Sequence, residues 1–132
     1  MTFYNERLIK SIRKARPCHG CNKLLEAGQS ALECAGVGYD GFWAAAYHTE
    51  CRAAEVAINR LHRTRDDEWI SLFCDLEWED WPWLIDEHPV VAERMKIDTA
   101  KFERVRDERE RVRLAWAEID RKRLITNKAI AR

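Results

Sequence analysis

The chain has 132 residues, 46% hydrophobic and 35% charged, which supplies enough apolar mass for one packed domain and excludes wholesale disorder. No apolar run approaches the roughly 18 residues of a membrane span, and residues 1–16 lack the apolar stretch of a secretory signal. Five cysteines, an odd set, argue for reduced thiols or metal over a disulfide framework and so for a cytoplasmic location.

The net charge of zero hides a segregation. Residues 1–65 carry ten basic against six acidic side chains, residues 66–95 one against ten, and residues 96–132 twelve against seven. Such blocks neutralise one another within a fold or are offered to a partner of opposite sign.

Along the chain, the spacing of Leu8, Ile9, Ile12 and Ala15 predicts a helix over residues 2–15, with Thr2 as N-cap and Pro17 as its stop. The character changes over residues 18–48, which hold all five glycines of the protein. These glycines punctuate two short apolar stretches, Ala31–Val37 and Phe42–Tyr47, the pattern of strands joined by turns. Helical spacing returns at Thr49, read as an N-cap, with Ala53, Ala54, Ala57, Ile58 and Leu61 on one face. Asp66 and Asp67 read as caps for a helix carrying Trp69, Leu72, Phe73 and Leu76 inward. Asp80 before Trp81-Pro82, and His88 before Pro89, start two further short helices, since proline suits a first helical turn.

Asp98 caps a long basic helix that runs to about Ile125 and fills the segment 98–126. Its Phe102, Val105, Val112, Trp116 and Ile119 follow heptad steps, with Arg109 and Arg123 on the same seam. Two arginines in so short a seam favour a core-facing helix, with a homodimer through this helix as the alternative.

The strongest chemical signal is Cys18-His19-Gly20-Cys21 followed, after 26 intervening residues, by His48-Thr49-Glu50-Cys51. A Cys-x2-Cys turn puts two thiolates on one side of a tight loop. His48 and Cys51, three apart at a helix start, share a face, and the helix N-terminus favours a thiolate there. Three sulfurs and one nitrogen are the donor set of a closed, structural Zn2+ site, one ion per chain. Cys34 is a rival ligand in place of His48. Cys74, His19, His62 and His88 read as core or surface residues.

The order Cys-x2-Cys, glycine-punctuated hairpin, His-x2-Cys, helix resembles a treble-clef zinc finger. The closest likeness is to the fingers of poly(ADP-ribose) polymerases, and more loosely to LIM half-modules. Lys23-Leu24-Leu25-Glu26-Ala27-Gly28 and Tyr47-His48-Thr49-Glu50-Cys51 carry the resemblance, which covers residues 16–62 only. It implies a zinc-stabilised binding module, whose ligand is DNA in the polymerase fingers and protein in LIM modules.

Two binding surfaces compete. The acidic helical segment 63–97 offers Trp78, Trp81 and Trp83 with Glu79 and Asp80, large aromatic anchors among charges, as at protein-binding hot spots. The alternative is nucleic acid, with Arg13, Lys14, Arg16, Lys23, Arg52, Arg60, Arg63 and Arg65 on phosphates and Phe42 and Trp43 stacking on bases. A pI near 6.9 and the acidic block weigh against a polyanion partner. An enzyme is the remote reading: Pro17-Cys18-x-x-Cys21 and His48-x-Glu50 are both halves of a zinc-deaminase motif in reversed order, and Cys51 would fill the position that water needs.

The expectation is therefore a single α+β domain over residues 1–132, mostly α: a small zinc-bound hairpin module at 16–62, elaborated by helices. Its role is non-catalytic binding and regulation of another macromolecule. The size and charge segregation suit a phage-like regulator or inhibitor.

Overall fold

The computed structural model describes residues 4–38 and 40–131, without the side chain of Asp66. Thr2 and the side chain of Asp66, both read as helix caps, lie outside the described residues. The fold is α+β and mostly helical, with a small antiparallel sheet and a long C-terminal helix. The chain divides into two compact units, residues 1–98 and residues 99–132.

In the first unit, strand β1 (Tyr4–Ile9) pairs antiparallel with β4 (Ala31–Gly38), which pairs with β5 (Gly41–Tyr47), giving the order β1-β4-β5. A second, two-stranded ladder joins β2 (Arg16–Pro17) to β3 (Leu24–Leu25). The hairpin of β4 and β5 falls on the two apolar stretches of the sequence. The helix expected over 2–15 does not form, and Tyr4–Ile9 is a strand. Its apolar stripe is weak, and cross-strand partners override it: Arg7 lies opposite Glu33 and Glu6 opposite Cys34.

Helix α1 (Thr49–Leu61) follows the hairpin with His48, not Thr49, as N-cap, Thr49 being its first residue, and with Arg63, at a φ of 52°, just beyond its end. The inward helix expected around Trp69–Leu76 shrinks to one turn, α2 (Leu72–Asp75), and Trp69 is 41% exposed rather than facing inward. Helices α3 (Trp81–Glu87) and α4 (Pro89–Arg94) start where expected, with Pro82 second in α3 and Pro89 first in α4. Asp80 makes no side-chain cap; its carboxylate meets His62 instead, at 2.9 Å.

One core unites this unit. Leu25, Ala31, Tyr47 and Ala54 from the strands and α1, with Ile12 from the loop after β1, are buried with Leu72, Leu84, Val91 and Ala92 from the later helices and Ile97 beyond α4, so the finger does not build a core of its own. Cys18, Cys21 and Cys51 lie inside this cluster, as does Cys34.

The second unit is α5 (Thr99–Ala131), 33 residues long and five or six beyond its expected end. Ion pairs such as Glu110–Arg113 and Glu118–Arg121 run along it one turn apart, with the acid on the N-terminal side, the orientation that best supports an isolated helix. None of its residues is buried: Phe102 and Val105 are half-buried and Val112, Trp116 and Ile119 are exposed, in place of the buried seam expected.

Candidate metal centre

The Cys-x2-Cys loop is held by its own backbone. The N–H of Cys18 donates to the carbonyl of Lys23 at 2.8 Å, and the N–H of Asn22 donates to the carbonyl of Cys18 at 2.8 Å. Asn22 sits at a φ of 61°, a left-handed conformation that asparagine tolerates well. The N–H of His19 donates to the carbonyl of Ala46 at 2.8 Å, anchoring the loop to β5. The second pair rides on α1, with His48 as N-cap and Cys51 in the first turn.

These elements bring the ligand atoms of Cys18, Cys21, His48 and Cys51 within 4.8 Å of one another, and all four residues are buried. Nδ1 of His48 lies 3.4 Å from Sγ of Cys21 and 3.7 Å from Sγ of Cys51. A tetrahedral ion with bonds of about 2.3 Å to sulfur sets its ligand atoms about 3.8 Å apart, so the cluster has the dimensions of a closed site. Backbone amides are already turned towards the sulfurs. His48 N–H donates to Sγ of Cys18 at 3.3 Å and Lys23 N–H to Sγ of Cys21 at 3.4 Å.

Three thiols this close cannot all ionise unaided. A hydrogen bond from Cys51 pulls the Cys18 thiol down to about 4, with amides of Cys21, His48 and Gly20 adding to the effect. The same bond pushes the Cys51 thiol up, and burial pushes Cys21 up. One thiolate is thus favoured over three, and a divalent cation would supply the compensating charge for the others.

Sequence reasoning did not include Arg94. From α4 its guanidinium reaches Glu50 at 3.1 Å and Sγ of Cys51 at 3.7 Å, a cation beside a ligand thiol. The carboxyl of Glu50 is held below its usual range by backbone and Arg94 hydrogen bonds. Cys34, the rival ligand, is outside the cluster: it is buried in β4 and accepts a hydrogen bond from Tyr4 at 3.6 Å. Cys74 is exposed, and His19 packs edge-on against Tyr47.

A second buried constellation was also missed. Arg52, counted among the phosphate-binding residues, is only 8% exposed, which removes it from that set. Its guanidinium donates to Glu55 at 2.9 Å and to the Tyr4 hydroxyl at 2.5 Å, and it faces the rings of Tyr4, Tyr47 and Trp69. Glu55, fully buried, also accepts from the Tyr47 hydroxyl at 2.8 Å and from the Leu72 N–H at 2.9 Å. One signal was available: Arg52 and Glu55 lie one turn apart, beside buried Ala54 and Ile58.

The remaining candidates divide. Arg16 is half-buried and pairs with Glu33 at 2.8 Å, whereas Arg13, Lys14, Lys23, Arg60, Arg63 and Arg65 are exposed. Phe42 is 73% exposed and Trp43 41%. In the acidic segment Trp81 and Trp83 pack against the core, Trp83 with its ring 5.0 Å from His88, while Trp78 is half-buried and Glu79 exposed. The aromatic residues most open there are Trp69 and Phe73.

No family model, curated protein or solved structure matches this chain. The likeness to polymerase and LIM fingers therefore stands on the local spacing of residues 16–62 alone. Among the described residues, no helix is long and apolar enough to cross a membrane.

Proposed function

We propose that the chain is a zinc-stabilised, non-catalytic interaction protein, whose metal fixes a treble-clef-like finger so that surfaces on the same core can engage a partner protein. The observation that carries it is the buried quartet of Cys18, Cys21, His48 and Cys51. Soft thiolates with one imidazole select zinc over hard cations, and four protein donors leave no position for a reacting water. That closure speaks for structure over deamination, as does Glu50, whose carboxylate is engaged by Arg94.

The protein-binding half rests on Trp69 and Phe73, 41% and 51% exposed among Asp67, Glu68, Asp75 and Glu77. Large aromatics set among acids fit a basic, aromatic-accepting protein surface. A nucleic-acid reading draws on Phe42, which is open to stack on a base beside Trp43.

Elemental analysis of the purified full chain is the direct test. One equivalent of zinc, lost together with the fold of residues 1–98 in Cys21→Ser, is the expected result; well under one equivalent of any metal overturns the reading.

A further inference from the structure

We propose that α5 is the dimerisation element of this protein, pairing antiparallel with α5 of a second copy. This inference is independent of the metal.

The helix carries a seam of Val105, Val112, Trp116 and Ile119 at alternating three- and four-residue steps, with Arg109 and Arg123 interleaved. At its centre Val112 is 47% exposed, Trp116 55% and Ile119 42%. A solvated rod gains nothing from apolar side chains in register over several heptads, whereas a coiled-coil seam requires them. The stretch from Phe102 to Thr126 spans about 36 Å at 1.5 Å per residue, enough for more than three heptads of mutual burial.

Charge decides the occupant and its direction. In a parallel, in-register pair each Arg109 meets its own copy across the seam, as does each Arg123, and Lys101 flanks Arg106. Such like-charge contacts in a desolvated seam are strongly unfavourable. An antiparallel pair crossing at the level of residue 114 changes every one of these contacts. Arg109 then opposes Ile119 of the second copy, Arg123 opposes Val105, and the two Val112–Trp116 layers stack at the centre. On the flanks Glu108 meets Lys122 and Arg106 meets Asp120, each contact occurring twice by symmetry. The one like-charge contact left is between the two Arg113 side chains near the axis, and each is already paired with Glu110 of its own helix. A parallel pair keeps one favourable flank contact, Glu108 with Arg113, but sets Arg109 and Arg123 against their own copies within the seam; the antiparallel pair removes both of those seam contacts, and this self-complementarity makes a second copy the fitting partner.

Sedimentation equilibrium of the full chain, from low micromolar to several hundred micromolar, tests this. The expected result is a monomer–dimer equilibrium that Val112→Glu with Ile119→Glu abolishes, while far-UV circular dichroism stays helical. Glu108→Lys alone should weaken dimerisation about tenfold, and adding Lys122→Glu should restore it. Both positions are solvent-exposed, and each also holds an ion pair within its own helix, Glu108 with Arg111 and Lys122 with Glu118, so circular dichroism of each variant separates helix content from pairing. A monomer at every concentration, a dimer indifferent to the Val112/Ile119 change, or rescue of Glu108→Lys by Arg113→Glu instead of Lys122→Glu overturns the proposal.

Discussion

Gly20 lies against the first turn of α1 with no room for a side chain: a Cβ on it would stand 2.8 Å from Cβ of Cys51 and 3.3 Å from the Tyr47 ring. Both neighbours are held, Cys51 by the helix backbone and Tyr47 by its hydrogen bond to Glu55. The Cys18–Cys21 loop and the His48–Cys51 turn therefore meet at the separation a common metal needs only while position 20 is bare. Gly20→Ala should lower stability by about 1–3 kcal/mol, as overpacking does, and weaken metal retention. Denaturant midpoints and competition with a chelator measure the two effects; an unchanged chelator midpoint would show that the approach does not set the site.

Metal removal should unfold the two units unequally. A structural zinc contributes part of roughly 10–16 kcal/mol to folding, and here its ligands sit within the core of residues 1–98. The ion-paired α5 has no buried residue to lose. A chelator should abolish the near-ultraviolet tryptophan signal of the first unit while helical ellipticity equivalent to much of the 33-residue helix persists. Complete loss of helical signal on chelation would contradict this independence.

Arg52 should behave as a structural residue and not as a phosphate contact. Removing it leaves Glu55 charged in the core without its cation, and breaking such a buried pair costs about 3–5 kcal/mol. The ledger is not perfect even now, since Nε of Arg52 finds no hydrogen-bond partner and Glu6 lies 3.9 Å away. Arg52→Met should be strongly destabilising, and Arg52→Met with Glu55→Gln less so than the two separate losses together. Additive losses in urea unfolding would refute the coupling.

Glu33 ties β4 to two neighbours, accepting from Arg16 at 2.8 Å and from Arg7 at 3.2 Å. The hydrogen bond from Arg16 comes first among the causes that hold its carboxyl below the ordinary 4.5, with Arg7 adding to it. A depressed folded value means that the contribution is present above the unfolded value near 4.5 and is lost as pH falls through the lowered one. Glu33→Gln should therefore cost up to about 1 kcal/mol at neutral pH and nothing once the carboxyl is protonated in both states. A stability difference that persisted unchanged into strong acid would exclude the ion pairs as its cause.

The metal quartet and the β4–β5 hairpin were legible because ligand spacing and glycine punctuation are local signals. The starts of α3 and α4 were legible for the same reason: Pro82 and Pro89 fix φ and suit a first turn. Tyr4–Ile9 was not, because an edge strand is chosen by its partner, and the contacts of Tyr4 and Glu6 with Arg52 are 48 and 46 residues distant in sequence. Arg52 and Glu55 escaped because charged residues are rarely buried, and only the three-dimensional pairing shows that each offsets the other. The exposure of the α5 seam was equally hidden, since a heptad stripe reads the same whether it faces a core or another helix.

The bound partner remains to be separated by its salt response, and the structure changes which residues do it. Trp83 packs against the core, so its truncation would mix stability with binding. Phe73, 51% exposed, carries no such burden, and Trp78 is only half-buried. A protein partner held by aromatic area should lose about 2 kcal/mol with Phe73→Ala or Trp78→Ala and depend weakly on salt. Arg60→Ala with Arg63→Ala should then mainly slow association, as rim charges do. A nucleic-acid partner reverses the pattern: each phosphate contact releases counterions, so affinity falls linearly on a log–log salt plot and the arginine pair abolishes binding. Under that outcome Phe42→Ala should weaken binding by about 1–3 kcal/mol through lost stacking, and Phe73→Ala should be neutral. One dominant surface cannot give both patterns, so the comparison decides between the acidic face and the basic one.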